Sequence, residues 1–187
     1  MSNNLEIESK ALINEESYNK IILNNQKLIY TQINYYIDTS KHTLPRNLGL
    51  RIRYKNNKYE LTLKEDQKFG RMEYNQIIDK NDFINFTDNY IFPSGEVKNK
   101  LISLNINIDL LRIFGTITTH RLDIKYKNSL LSVDKNEYLD KIDYEVECES
   151  HTPQESDNDL KSFLNEKSVE FSINTSTKLS RLLKALD

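Results

Sequence analysis

With only four glycines and three prolines in 187 residues, the chain has little of the usual turn chemistry. Its connections must rest instead on Asn, Asp and Ser, which tolerate left-handed backbone or close turns through their side chains. The single cysteine, Cys148, cannot form an internal disulfide, and its neighbours Glu147 and Glu149 make it a poor metal ligand or nucleophile. Tryptophan is absent, and the three histidines, His42, His120 and His151, are scattered along the chain and suit packing or surface roles better than catalysis. No apolar run approaches the roughly 18 residues that a membrane helix needs. Met1 to Lys10 has no basic stretch followed by an apolar one, so no secretory signal is expected and a cytoplasmic location is. Neither sign of charge is in excess: 26 Lys and Arg face 28 Asp and Glu, for a net charge of -2. That balance argues against nucleic acid or an anionic membrane as a partner held by bulk positive charge. What remains is 37% hydrophobic residues, enough for one core, and a single domain over residues 1–187 is expected.

The pattern along the chain predicts eight strands and a few helices. Leu5 to Ile13 alternates, with Glu6, Glu8 and Lys10 on one side. Asn14, followed by Glu15 and Glu16, opens a helix running to about Gln26. Tyr30 to Asp38 is rich in β-branched and aromatic residues. Leu48–Lys55 and Lys58–Glu65 flank Asn56-Asn57, a pair suited to a two-residue hairpin turn. Arg71–Asp79 continues the meander, Asn81 to Asn89 reads as a polar interruption, and Ser94 is expected to cap a short helix over Gly95–Leu104. Gly115–Tyr126, Leu130–Glu137 and Asp143–Ser150 complete the strands. Helices follow Pro153 and begin near Thr175 or Ser176. A mostly β, α+β chain whose strands are joined largely as hairpins predicts an antiparallel barrel or strongly curved sheet with covering helices.

The residue types on one face of these strands carry the chemistry. Side chains repeat every second residue in a strand. One face therefore collects Glu6, Glu8 and Lys10, then Arg51 and Arg53, Thr62 and Lys64, Arg71, Glu73 and Asn75. It continues with Thr119, Arg121, Asp123 and Lys125, Ser132 and Asp134, and finally Glu145, Glu147 and Glu149. The other face carries Ile52, Leu61, Leu63, Leu122, Leu131, Val133 and Val146. An ordinary sheet, with its core on one side and water on the other, would explain any one of these strands. The set differs in that strands separate into acid-bearing and base-bearing ones, with Arg and Glu paired at i, i+2. Charges facing the inside of a barrel are costly without counter-charges. A polyphosphate with divalent metal would satisfy both walls: Arg and Lys grip phosphate oxygens, and carboxylates hold Mg²⁺ or Mn²⁺.

Glu6-Ile7-Glu8-Ser9-Lys10 resembles the ExExK motif near the N-terminus of CYTH-domain proteins, the triphosphate tunnel metalloenzymes of the class IV adenylate cyclase and thiamine triphosphatase superfamily, in a bacterial subgroup. The resemblance continues through Leu50-Arg51-Ile52-Arg53, Leu61-Thr62-Leu63-Lys64, Arg71-Met72-Glu73-Tyr74-Asn75 and Arg121. It then takes in Val133-Asp134, Asp143-Tyr144-Glu145-Val146-Glu147 and Lys178-Leu179-Ser180-Arg181. One short motif is weak; seven further elements in order are strong. The family often has a basic residue two before the arginine equated with Arg121, where this chain has Thr119.

The resemblance implies an eight-stranded antiparallel β-barrel tunnel with a charged lumen and flanking helices, and metal-dependent hydrolysis of a triphosphate. It implies Glu6, Glu8, Asp134, Glu145 and Glu147 as metal ligands, with Glu73 a helper. Lys10, Arg51, Arg53, Lys64, Arg121 and Lys178 become the substrate-binding cations, and Glu6, Glu8, Lys10 and Glu73 the catalytic group. Glu149 lies outside the two-Glu motif and is expected at the rim. The implied cofactor is Mg²⁺ or Mn²⁺ and the implied partner a small molecule carrying a triphosphate, without nucleic acid or membrane, in a monomer or homodimer. Inorganic triphosphate is the favoured substrate, with a nucleoside triphosphate next. A class IV-type adenylate cyclase and a thiamine triphosphatase use the same residues; the missing indole disfavours the thiamine enzyme. Outside enzymes, the rivals are a polyphosphate- or nucleotide-binding module, for which the carboxylate set should be broken, and a structural β-domain, whose charged faces should meet bulk water.

Overall fold

The computed structural model describes residues 3–186, with side chains from Leu5 onward. The described residues form ten strands and five α-helices. In order they are β1 (Asn3–Glu6), β2 (Glu8–Ile13), α1 (Glu15–Ile22), β3 (Tyr30–Thr39), β4 (Leu48–Lys55), β5 (Lys58–Asp66) and β6 (Arg71–Ile78). There follow α2 (Lys80–Asn89), α3 (Glu96–Ser103), β7 (Leu111–Tyr126), β8 (Ser129–Tyr138), β9 (Lys141–Glu149), α4 (Pro153–Glu166), β10 (Phe171–Ile173) and α5 (Lys178–Leu186). No described helix is long and apolar enough to cross a membrane.

Contacts divide the chain into two compact units, each made of two separate stretches of sequence. The first comprises the residues up to Leu5 together with Ile33–Ile117, and its strands lie in the order β1-β6-β5-β4-β3. The β4–β5 hairpin turns on Asn56 and Asn57, both in the left-handed region at φ 51° and 60°, as the paucity of glycine requires. Its register sets Arg51 opposite Thr62 and Leu50 opposite Leu63. Leu50, Ile52, Leu61 and Leu63 thereby point to one side, where they pack with Ile37, Phe86, Val97 and Leu101. Arg51, Arg53, Thr62 and Lys64 point to the other.

Two features of this unit differ from the sequence-based expectation. The stretch at 81–89 is helical, because Asp79 forms a capping box with Asp82 and helix α2 is anchored by Phe86, which is 1% exposed, with Phe83 packed against the same core. Helix α3 is capped not by Ser94 but by a distant side chain: Gln76 Oε1 accepts from the Val97 amide at 3.2 Å while its Nε2 donates to the Ser94 carbonyl at 2.6 Å. Gly95 permits this, since its φ is 137° and a Cβ there would fall 2.3 Å from Gln76.

The second unit comprises Glu6–Gln32 and the chain from Thr118 onward, with strand order β7-β8-β9-β2-β10. Asn14 caps α1 by accepting from the Ser17 amide at 2.8 Å, as expected, and Thr152 caps α4. Leu122, Leu131, Val133, Val146 and Ala11 form the apolar face with Leu160, Phe163 and Leu164 of α4.

The mostly β, α+β class is as expected; the closed eight-stranded barrel is not what these ladders form. Neither unit's strand order returns to its start. The count rises to ten because Ile7 interrupts the expected N-terminal strand, separating β1 from β2, and because Phe171–Ile173 pairs with Ala11–Ile13.

Candidate functional site

In each unit, the strand face opposite the core carries charged residues singled out by the sequence, and Lys10, Lys64, Glu73, Arg121, Asp134 and Glu147 among them are largely withdrawn from bulk water.

In the second unit, β9 presents Asp143, Glu145 and Glu147 on one face, and the register sets Asp134 of β8 opposite Glu145 and Arg121 of β7 opposite Asp134. Lys10 of β2 lies opposite Glu147. Oxygens of Asp134, Glu145 and Glu147 lie within 4.8 Å of one another. The cations thread between them. Arg121 grips Asp134 with two hydrogen bonds, 2.7 Å from Nε and 2.6 Å from Nη2, and Nη2 also donates to Glu147 at 2.8 Å. Lys178, the first residue of α5, brings its ammonium to 2.9 Å from both Asp134 and Glu147 and contacts Glu145 as well. Lys10 pairs with Glu8 at 2.6 Å and reaches Glu147 at 3.4 Å.

Burial alone would neutralise these groups, lowering the lysine and raising the acids. For Lys178 that effect is outweighed by Asp134, Glu145 and Glu147, which hold its pKa well above the ordinary value. For Glu147, Lys178, Lys10 and Arg121 outweigh burial and hold the carboxyl well below the usual range. Asp134 is lowered against its burial by Arg121 and Lys178. Lys178, Glu147 and Asp134 are therefore ionised at neutral pH.

Sequence reasoning assigned no role to three participants: Arg181 and Thr119, quoted only within the pattern, and Asn136, which it missed. Arg181, one turn along α5 from Lys178, donates to Asp143 at 2.8 Å and pairs with Glu145 at 2.9 Å. The i, i+3 spacing with Lys178 was the available signal. Asn136, two residues after Asp134, gives its amide to Asp143 at 3.0 Å and Glu145 at 3.1 Å. Thr119, fully buried where the family often has a cation, donates its hydroxyl to Asn136 at 2.8 Å. The departure at Thr119 thus supports the carboxylates through a neutral relay.

The metal implied by the resemblance can be tested against these donors. Hard divalent cations take oxygen ligands, and clustered carboxylates supply them. Glu145 Oε2 is buried with no hydrogen-bond partner among the described residues. An acceptor left over in a three-carboxylate group fits such a cation. Of the other expected ligands, Glu8 is joined to the network through Lys10, and Glu6 ends β1; neither belongs to the three-oxygen group. Glu149 is exposed.

The first unit holds the remaining expected residues. Lys64 pairs with Glu73 at 2.7 Å, and their side chains are only 17% and 15% exposed, which disposes of a face turned to bulk water. Burial would raise Glu73, but Lys64 and Arg51, with hydrogen bonds from Lys64 and Asn75, hold its pKa down to about 2. Asn75 Nδ2 donates to Glu73 at 3.1 Å and Thr62 donates to Asn75 at 2.8 Å. Arg53 Nε donates to Asn34 Oδ1 at 3.3 Å across the β3–β4 pair. His120 lies on the opposite side of β7 from Arg121, beside Thr31 at 3.0 Å and Glu137 at 3.8 Å, in the surface role expected.

Comparison with known proteins adds a lineage to this geometry. The family model for the CYTH domain matches residues 4–181. A Bacillus subtilis protein named "Putative triphosphatase YjbK" is 35% identical over 155 residues, 80% of this chain and 80% of that protein. A solved structure from Bacillus halodurans, described as "a putative adenylate cyclase", is 31% identical with a TM-score of 0.89, covering 97% of this chain and 98% of that one. A Hippeastrum protein described as a "putative adenylyl cyclase" with a dominant triphosphatase activity has a TM-score of 0.81 over 97% of this chain and 96% of that one. At 22% identity, this last likeness is one of fold alone.

Proposed function

Because the chain belongs to the CYTH domain family, we propose that it is a divalent-metal-dependent triphosphatase, with inorganic triphosphate as the favoured substrate and a nucleoside triphosphate next. The carrying observation is the Asp134, Glu145 and Glu147 group with its unpartnered Glu145 oxygen, set against buried cations. A carboxylate set intact in this way speaks against a binding module alone. The single domain expected over residues 1–187 is retained in this reading.

Asp134, Glu145 and Glu147 would hold Mg²⁺ or Mn²⁺, with Glu6 and Glu8 as further carboxylates. Such an ion, when bound, neutralises phosphate charge and lowers the pKa of the attacking water. The chain supplies the rest by positioning. In the first unit Arg51, Arg53 and Lys64, and in the second Arg121, Lys10 and Lys178, would each offer phosphate oxygens their donors, the arginines bidentately where geometry allows. Glu73 holds Lys64 in place through their 2.7 Å pair. Water adds to the terminal phosphorus as the bond to the leaving bridging oxygen breaks, and no side-chain nucleophile takes part.

The test is a substrate panel on the purified protein: tripolyphosphate, ATP and thiamine triphosphate, each with Mg²⁺, Mn²⁺ or EDTA, with phosphate and cyclic AMP measured. Phosphate release from tripolyphosphate that EDTA abolishes is expected. Cyclic AMP from ATP would replace hydrolysis by cyclisation. Binding without turnover in any mixture would leave a polyphosphate-binding module.

A further inference from the structure

Strand β3 carries a row of polar residues that the expected site leaves out. Asn34, Tyr36 and Asp38 alternate with Tyr35 and Ile37, and the latter two belong to the apolar core of the first unit. Asn34 therefore faces away from that core, yet it is only 1% exposed. The register places it directly opposite Arg53, with Tyr36 opposite Arg51, so Asn34 shares a face with both arginines.

Its amide orientation is fixed by chemistry. A guanidinium only donates, so the Asn34 oxygen must turn to Arg53, whose Nε lies 3.3 Å away, and Nδ2 must point elsewhere. That Nδ2 is buried and has no hydrogen-bond partner among the described residues. Arg51 Nε is in the same condition. Buried donors in folded proteins are almost always bonded, and two exceptions on adjacent strands of one face require an explanation. Glu73, the carboxylate beside this face, already accepts from Lys64 and Asn75. The missing partner must be acceptor-rich and compatible with neighbouring arginines, which describes the oxygens of a phosphate group.

We propose that Asn34 is a substrate-contacting residue: its Nδ2 donates to a non-bridging oxygen of the bound triphosphate, alongside Arg51 and Arg53. The proposal rests on the triphosphatase reading and adds to it a neutral, directional donor. A neutral hydrogen bond differs from the arginines in one measurable respect, because salt screens the attraction of charges and leaves an amide's contribution nearly untouched. Asn34 thus fixes how the phosphate is turned, while the arginines draw it in.

The experiment measures tripolyphosphate affinity by calorimetry, with Mg²⁺ under conditions too brief or too cold for turnover, across a range of salt. Asn34→Ala is expected to weaken binding about tenfold, the scale of one lost hydrogen bond, with an unchanged salt slope. Arg53→Ala is expected to weaken binding and flatten the slope. In a double-mutant cycle, the Asn34→Ala loss should persist in the Arg53→Ala background. Its disappearance there would mean that Asn34 merely holds Arg53, and would overturn the proposal. Should Asn34→Ala fail to fold, NMR of the wild-type protein decides: the assigned Asn34 side-chain amide protons must shift on titration with tripolyphosphate, and unmoved resonances overturn the contact. Absence of any binding by the wild-type protein would instead bring down the triphosphatase reading, and this inference with it.

Discussion

The two units place an apolar face and a charged face on the same strands, yet they leave opposite kinds of atom unsatisfied. In the acidic cluster of the second unit, the buried group without a partner is an acceptor, Glu145 Oε2. In the first unit such groups are donors, Asn34 Nδ2 and Arg51 Nε. The ion pairing differs in the same sense. Lys178 alone contacts three carboxylates of the second unit, whereas the first unit's face is cation-rich, with Glu73 lying between Lys64 and Arg51. Under the proposed function, a cation would suit the acidic face and an oxyanion the basic one.

The largest expected break in this comparison is Lys178→Met. Removing one partner of a buried ion cluster leaves uncompensated charge, and destabilisation of about 3–5 kcal/mol is expected in EDTA. Urea unfolding measures it; a loss below about 1 kcal/mol would mean that the cluster is wetter than its burial implies. The first unit offers a sharper, pH-resolved contrast. Glu73 has a folded pKa of about 2 against an ordinary 4.5, so its ionised form favours the folded state. Its contribution is complete above about pH 4.5 and is lost as pH falls towards 2. The stability advantage of the wild type over Glu73→Gln should shrink across that window. A gap independent of pH would dissociate Glu73 from its cations.

Much of this was legible because period-2 alternation needs no tertiary information. Arg51 and Arg53, Glu145 and Glu147, and Asp134 could be assigned to polar faces from spacing alone, and the structure puts them there. What spacing does not reveal is which distant atom meets which. Gln76 capping α3 from 20 residues upstream of Glu96 leaves no local trace, so Ser94 seemed the better cap. Helix α2 hid behind its polar composition, although Asp79 and Asp82 have capping-box spacing. Arg181 and Asn136 each meet both Asp143 and Glu145, and those distant partners leave no mark in the local spacing. Asn34 was invisible for a further reason: a lone Asn in a strand signals nothing until its oxygen is known to be taken and its nitrogen is not.

The scarcity of glycine has a consequence for how far this protein stands from its own stability optimum. Among the described residues, eight other than glycine hold left-handed backbone, including Leu139 at φ 51° and Tyr90 at φ 59°. Tyr90 is stacked under Arg112 at 3.9 Å and has a use where it is. Leu139 sits 59% exposed in the β8–β9 turn, where a γ-branched side chain has no evident return for the strain it imposes. Leu139→Gly is expected to raise stability by up to about 1 kcal/mol, read as a higher melting temperature with unchanged turnover. Natural selection removes only what falls below a working threshold. The turns of this molecule are accordingly where thermal robustness can be added without touching either charged face.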